Sequence, residues 1–319
     1  LVSVIIVSFN RAADLRLSLT AVFASRDAAI EVIVVDNAST DGTADVAASF
    51  GVAHLVRNQD NRGFAEANNQ GLALAKGKYI ALVNNDAVVA DDWVAGHVAF
   101  LEAHPEAAAV GGKAYHWNDE SPLGDRSNHY VGYSVVGSDG DTPPVMDPPD
   151  EVREVLTLSG AAVVIRRAAI TDVGGPFLDP LFFMYYEETD FFARAVRKGW
   201  KLYYQGEPAC WHRIGASTNL ASYRYYYFMS RNRLIFAGRH FQRRALAKVV
   251  YQFSFGACIA LAARFTRPRS RLAERHRAYL DASKWVYQNR RLILDHRAEY
   301  AGNRQAYETR QRLLARDLP

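Results

Sequence analysis

The chain has 319 residues, 49% of them hydrophobic and 23% charged, enough apolar material for a large core with an ordinary share of charge, which excludes a small stapled scaffold and a disordered chain. Its formal charge of +4 and the absence of helix-turn-helix, RNP or zinc spacing argue against nucleic acid as a partner. Two cysteines, Cys210 and Cys258, make no disulfide framework and fit a reducing compartment, so the cytoplasm is the expected location. No leader precedes the first strand, but the chain starts at Leu1 rather than Met and targeting stays open.

Short β-branched runs alternate with helical patterns through the first half. Residues 2–9, 31–36, 54–57, 79–84 and 108–113 read as strands. Between them Leu15, Leu19 and Val22 recur at helical spacing, 43–50 follows an Asp-Gly turn, and 64–75 forms a third amphipathic segment. Alternation at these intervals predicts βαβ units, hence a Rossmann-like α/β half with a mostly parallel sheet. Ligands of such sheets sit beyond the C-terminal strand ends. Those ends here are polar: Ser8-Phe9-Asn10-Arg11, Asp36-Asn37-Ala38-Ser39, Asn58-Gln59-Asp60-Asn61 and Asn84-Asn85-Asp86. No G-x-G-x-x-G turn follows the first strand, which disfavours a dinucleotide site.

From 118 to 154 the pattern dissolves into Pro, Gly, Asp and Ser, a stretch of the length that functional loops reach, and an acceptor loop is one reading of it. Order resumes with a strand at 156–166, a helix at 189–198 and a strand at 201–205; beyond 222 the pattern is helical throughout. The expected domains are therefore 1–221, with a nucleotide half at about 1–113 and an acceptor half at about 114–221, followed by a helical region at 222–319. The apolar stretch 249–263 is too short to span a bilayer, which takes about 20 residues. Flanked by Arg239, Arg243, Arg244, Arg264, Arg267, Arg269 and Arg271, it suits an anionic membrane surface, with packing or homo-oligomerisation as the alternatives.

Four motifs are candidates for chemistry. A buried strand ending in Asn84-Asn85-Asp86 puts a carboxylate where a hard divalent cation would neutralise a diphosphate, although Asn and Asp are equally at home in an ordinary turn. The run Phe182-Phe183-Met184-Tyr185-Tyr186-Glu187-Glu188-Thr189-Asp190 delivers adjacent carboxylates among aromatic rings, surroundings that raise a carboxyl pKa towards general-base work. Acids at a helix start also complement the helix dipole, and Asp190 has Arg194 at i,i+4 as a structural partner. His212 is a candidate second metal ligand if it pairs with Asp86, and otherwise a packed histidine. Tyr223 to Tyr227 with Arg231, Asn232 and Arg233 form an aromatic, basic helix suited either to a diphosphate or headgroup or to plain packing.

Taken in order, these motifs together with Val4-Ile5-Ile6-Val7-Ser8-Phe9-Asn10, Val34-Val35-Asp36-Asn37-Ala38-Ser39-Thr40-Asp41-Gly42, Asn61-Arg62-Gly63-Phe64-Ala65, Ser159-Gly160-Ala161 and Gly174-Gly175-Pro176-Phe177 resemble glycosyltransferase family 2 over roughly residues 1 to 240. The wording is similar to that of rhamnosyltransferase-like enzymes of bacterial cell-envelope polysaccharide assembly. The resemblance implies a GT-A fold, an inverting mechanism and a Mg²⁺ or Mn²⁺ ion. It also implies a nucleoside-diphosphate sugar donor and a glycan or lipid-linked acceptor, used in the cytoplasm or at the inner face of the cytoplasmic membrane.

By position it assigns Ser8, Asn10, Asp36, Asn37, Arg62, Gly63, Asn68, Asn84 and Asn85 to the nucleotide sugar, Asp86 and His212 to the metal, and Glu188 to the base, with Glu187 and Asp190 beside it. Two departures stand out: Asn84 replaces the first aspartate of the family's Asp-x-Asp, and Glu188 replaces the catalytic Asp, one methylene longer. Two rivals remain. A sugar nucleotidyltransferase would need a Gly-rich basic loop that residues 8–11 lack, and a degenerate carbohydrate-binding subunit would explain both departures.

Overall fold

In a computed structural model, which describes residues 1–117, 126, 129–130, 133–134, 151–213, 222–241, 243–266 and 271–299, the chain divides into two compact units. The first contains Leu1–Val135, Pro143–Phe183 and Glu187–Ser217; the second contains the three-residue segment Met184–Tyr186 and the chain from Thr218 onward. Most of the expected acceptor loop at 118–154 lies outside the described residues.

The first unit begins with β1 (Val2–Ser8), α1 (Ala12–Phe23), β2 (Ile30–Asp36), α2 (Thr43–Ser49), β3 (His54–Arg57), α3 (Gly63–Leu74), β4 (Tyr79–Val83), β5 (Ala87–Val89), α4 (Trp93–Ala103) and β6 (Ala107–His116). It continues with the short strands β7 (His129–Tyr130), β8 (Tyr133–Ser134), β9 (Arg153–Val155) and β10 (Thr157–Leu158), then β11 (Ala162–Arg166), α5 (Arg167–Val173), a 3-10 turn at Pro180–Phe182, α6 (Glu187–Arg197) and β12 (Lys201–His212). Strands β1, β2 and β4 are hydrophobic runs because both faces are covered. Val4 and Ile6 pack with Leu15, Leu19 and Val22 of α1, while Ile5 on the other face meets α3 at Gly71, where a Cβ would lie 2.5 Å from Ile5 Cγ2.

The main sheet runs β3-β2-β1-β4-β11-β6-β12-β5. The α/β expectation is borne out, with one correction: the sheet is mixed. Its first four strands are parallel, but β11 is antiparallel to both β4 and β6, and β5 is antiparallel to β12. The reason lies at the rim. Ala161, just before β11, accepts the Asn84 backbone N–H at 2.8 Å, so β11 starts where β4 ends and runs back beside it. The expected strand at 156–166 is thus broken at Ser159–Ala161, where Ser159 Oγ accepts from Ala161 N at 3.2 Å. The expected strand at 201–205 instead continues to His212, through a register shift between Gln205 and Cys210.

The second unit is helical in its described part: α7 (Tyr223–His240), α8 (Arg243–Thr266), α9 (Arg271–Gln288) and α10 (Arg290–Glu299), with α7 packed on the other three. Packing explains much of the aromatic and basic pattern. The Arg231 guanidinium lies 4.9 Å from the ring centres of both Phe228 and Trp285, and the Tyr223 hydroxyl donates to Asp281 at 2.7 Å. Arg239 is buried, which removes it from the expected basic surface; Arg243 and Arg244 are exposed, and the side chains of Arg264, Arg267, Arg269 and Arg271 lie outside the described ones.

Candidate active site

Side-chain hydrogen bonds tie the polar strand ends together. Asn85 donates to Ser8 Oγ at 2.9 Å, joining the ends of β4 and β1. Asn10, in the left-handed region at φ 52°, accepts from Thr40 N at 2.8 Å, while its own N–H donates to Ser39 Oγ at 2.9 Å. Asn37 works as a clamp, donating to Gly63 O at 3.0 Å and Asn61 Oδ1 at 3.3 Å and accepting from Asn58 at 2.9 Å.

Asp36 is buried at the end of β2. One of its oxygens accepts from Ser39 N at 3.3 Å and the other, Oδ1, has no hydrogen-bond partner. A buried orphan carboxylate oxygen at the ligand edge of a sheet fits a ribose or base donor. Two of the expected nucleotide residues are differently engaged: Asn68 donates to Phe64 O in its own helix at 2.9 Å, and Arg62 is an exposed partner of Asp60 at 3.5 Å.

Asp86 and His212 are brought together by backbone pairing. The turn after β4 leads into β5, whose Ala87 sits opposite His212 of β12, and Arg213 N donates to Asp86 O at 3.0 Å. His212 Nε2 consequently lies 3.2 Å from Asp86 Oδ1 and 3.4 Å from Asn84 Nδ2. Asn84 Oδ1 is buried without a partner. A carboxylate, an imidazole and an unsatisfied amide oxygen form a donor set suited to a hard or borderline divalent ion. Among the described residues no group of three or more His, Cys, Asp or Glu could hold a metal, so an ion here would need oxygens from a ligand to fill its shell. His116, which stands beside His212 in the parallel ladder, went unread in the sequence; burial, then the His212 charge, hold its pKa below the ordinary imidazole value.

The carboxylate pair opens α6. A Cβ on Gly160 would lie 3.5 Å from Glu188 Cγ, so the Glu188 stem runs along the Ser159–Ala161 loop, the loop whose Ala161 carbonyl holds Asn84 N. Glu188 and the Asn84–Asp86 turn thus flank one short piece of backbone. Burial raises both carboxyls above the ordinary range. Glu187 is raised further by the negative charge of Glu188, to which it donates a hydrogen bond, while that bond favours the charged form of Glu188. The shared bond makes Glu187 the harder of the two to ionise.

Asp190 has a different setting. It is fully buried against Arg194 Nε at 2.9 Å, and the same guanidinium donates to the carbonyls of Gly174, Pro176 and Phe177 at 3.2, 3.0 and 2.8 Å. The structure thus realises the i,i+4 partnership, and the pair pins the Gly174–Phe177 turn.

The segment before Glu187 is unusual. Phe183, Tyr185 and Tyr186 have φ of 65°, 68° and 72°, a region where bulky residues cost about 1–3 kcal/mol each. Within the first unit, Phe183 O accepts from Phe64 N at 2.7 Å and Ala65 N at 3.3 Å, and Gly63, at φ +83°, leaves room for it. Within the second unit, Asn232 donates to Met184 O and to Tyr185 O, both at 2.7 Å.

The family model described as "Glycosyl transferase family 2" matches residues 3–172, more than half of the chain and including Asp36 and Asp86. The chain belongs to glycosyl transferase family 2. A poly-beta-1,6-N-acetyl-D-glucosamine synthase of Staphylococcus epidermidis is 24% identical over 221 residues, covering 66% of this chain and 49% of the relative. The Staphylococcus aureus (strain COL) enzyme of the same name is 25% identical with the same coverage. The chain spans about half the length of these curated relatives.

Among solved structures, the mannosyltransferase PcManGT from Pyrobaculum calidifontis, in complex with GDP-Man and Mn²⁺, superposes with a TM-score of 0.54 at 18% identity, over 98% of this chain and 86% of that one. GalNAc-T7 with UDP, GalNAc and Mn²⁺ gives 0.60 at 15%, over 90% and 56%. S. aureus TarS 1-349 with UDP gives 0.54 at 16%, over 98% and 91%. At these identities the likeness establishes the shared GT-A fold and leaves the chemistry to the site.

Proposed function

We propose that this chain is an inverting, metal-dependent glycosyltransferase that moves a sugar, rhamnose-like by the wording of its motifs, from a nucleoside diphosphate to a glycan or lipid-linked acceptor hydroxyl during cell-envelope polysaccharide assembly. The observation that carries the reading is the convergence at one rim: orphan oxygens on Asp36 and Asn84, the Asp86–His212 pair, and Glu188 on the Ser159–Ala161 loop beside them. That the solved neighbours carry Mn²⁺ with GDP-Man or UDP supports a nucleotide sugar and a divalent ion, Mg²⁺ or Mn²⁺.

Asp36 would hold the nucleoside at the end of β2, with Ser8, Asn10 and Asn37 fixing the loops around it. Asp86, His212 and the Asn84 carbonyl would hold the ion, which when bound supplies positive charge against the leaving diphosphate. Glu188, the more readily ionised of the pair, would take the acceptor proton as the hydroxyl attacks the anomeric carbon from the side opposite the diphosphate. One such displacement inverts the configuration. A carboxylate raised by burial is a stronger base than a free one, which suits a weakly acidic hydroxyl. The helical region would rest on the cytoplasmic face of a membrane through the outer face of α8.

The test is thermal stabilisation by a panel of UDP-N-acetylglucosamine, GDP-mannose and dTDP-rhamnose, with Mn²⁺ and with EDTA, joined to assay of nucleoside diphosphate release. At least one donor should stabilise the protein in Mn²⁺ and fail to do so in EDTA, and Asp86→Ala should lose that metal-dependent part. Glu188→Gln should keep the stabilisation while release falls by at least about 100-fold. Unchanged release by Glu188→Gln would refute the base, and metal-independent binding would refute the ion site.

A further inference from the structure

The route by which the chain reaches Glu187 and Glu188 is held in place from a side chain that the proposed chemistry does not use. Asn232, on α7 and fully buried, aims its amide nitrogen at the backbone of the aromatic segment. Both of its hydrogens are engaged, one by Met184 O and one by Tyr185 O, each at 2.7 Å. Its oxygen accepts from Arg231 Nε at 2.9 Å, which fixes the orientation of the amide so that nitrogen rather than oxygen faces the two carbonyls. The rings flanking these carbonyls are seated as well: Tyr185 lies edge-on to Tyr225 and Tyr186 packs on Phe236, all within the second unit.

The segment needs such support. Tyr185 and Tyr186 are consecutive aromatic residues in the left-handed region, a conformation that neither adopts readily and that persists only where surrounding contacts fix it. Straight after Tyr186 comes Glu187, and then the proposed base. A shift in Met184–Tyr186 is therefore passed by the backbone into the first turn of α6, where a displacement on the order of 1 Å at a reacting group costs about a hundredfold in rate.

We propose that Asn232 is a positioning residue for the reaction: by clamping the carbonyls of Met184 and Tyr185 it sets the placement of the carboxylates that follow. The proposal rests on the reading of Glu188 as the base. It assigns Asn232, through its two donated hydrogen bonds, a role that the ring packing of Tyr185 and Tyr186 does not supply.

The experiment uses the full chain carrying Asn232→Ala, which removes both donors, and Asn232→Asp, which keeps the size but turns a carboxylate oxygen towards the two carbonyls. Melting temperature and the binding of UDP with Mn²⁺ are measured alongside nucleoside diphosphate release from UDP-N-acetylglucosamine, GDP-mannose and dTDP-rhamnose. Expected is a kcat lower by about 10- to 100-fold in both variants, with donor KM and UDP affinity within about twofold of the unsubstituted chain. Turnover within twofold in both variants would overturn the proposal, as would loss of UDP binding together with kcat, or failure of both variants to fold, since either would give Asn232 a role in the fold at large. Glu188→Gln is run in parallel. If it turns over normally, the base assignment falls and the clamp with it; if it is slow while the Asn232 variants are normal, the clamp alone falls.

Discussion

Glu187 and Glu188 are neighbours in the chain, and burial raises both carboxyls above the ordinary range. The hydrogen bond from the first to the second raises Glu187 further while drawing Glu188 back down. The arrangement has a thermodynamic signature. Burial holds the Glu187 carboxyl above the ordinary range, so at this one group the folded chain binds more proton than the unfolded one once pH passes about 4.5. The stability linked to that proton is full below this pH and is lost as pH rises towards the raised value. Melting temperature should accordingly fall from pH 5 to pH 7 more steeply in the unsubstituted chain than in Glu187→Gln, as differential scanning fluorimetry can read; parallel curves would show that Glu187 is not raised.

At this scale the sequence was partly legible. Adjacent acids among aromatic rings marked Glu187 and Glu188 as candidates, and the i,i+4 spacing foresaw the Asp190–Arg194 pair, but nothing local said which glutamate is the harder to ionise, because burial arises from contacts distant in the chain. Asn232 was visible only as a member, with Arg231 and Arg233, of an aromatic, basic helix; the carbonyls it donates to lie 48 and 47 positions away.

Among elements, the parallel half could be read because β1, β2 and β4 are apolar runs covered on both faces, with helical spacing between them. The other half hid itself for equally physical reasons. β5 is three residues long, below the length at which any periodicity shows, yet it carries the rung that sets His212 opposite the turn of Asp86. β12 contains Glu207-Pro208, which reads as a strand end although the ladder with β6 resumes beyond it.

Gly63 belongs to this scale too, since it lets α3 start against Phe183. A Cβ there would lie 2.6 Å from the Phe183 carbonyl oxygen, on a backbone at φ +83° that disfavours any side chain. Gly63→Ala should destabilise the fold by about 1–3 kcal/mol in urea titration and lower nucleoside diphosphate release disproportionately, because Phe183 would have to move. A variant with ordinary stability and release would show that the helix start is not coupled to the turn.

Over the whole chain, charge is distributed unevenly. Between Glu207 and Glu274 there is no Asp or Glu while twelve Lys and Arg occur, so that the remainder of the chain is net acidic although the total is +4. On α8 within this stretch, Tyr251, Phe255 and Ile259 recur every four residues with exposures of 70%, 59% and 49%. An apolar stripe in a basic surround is the composition of a helix that lies in an anionic interface. Among the described residues no helix is long and apolar enough to cross a membrane. Pelleting with phosphatidylglycerol vesicles should exceed that with phosphatidylcholine, should weaken in high salt, and should be lost in Tyr251→Glu with Phe255→Glu. Equal pelleting with both lipids, or none, would leave the stripe as a packing surface.

The irregularity in β12 between Gln205 and Cys210 has a consequence for how such a chain can change over generations. Side chains along a strand alternate between its two faces, so the offset absorbed there fixes the phase with which His212 arrives beside Asp86. Deleting one residue from that short interval would turn the imidazole to the reverse face without altering a single residue of the pocket. Insertions and deletions should be purged there even where substitutions are tolerated, which makes length, more than identity, the inherited constraint on residues 205 to 210.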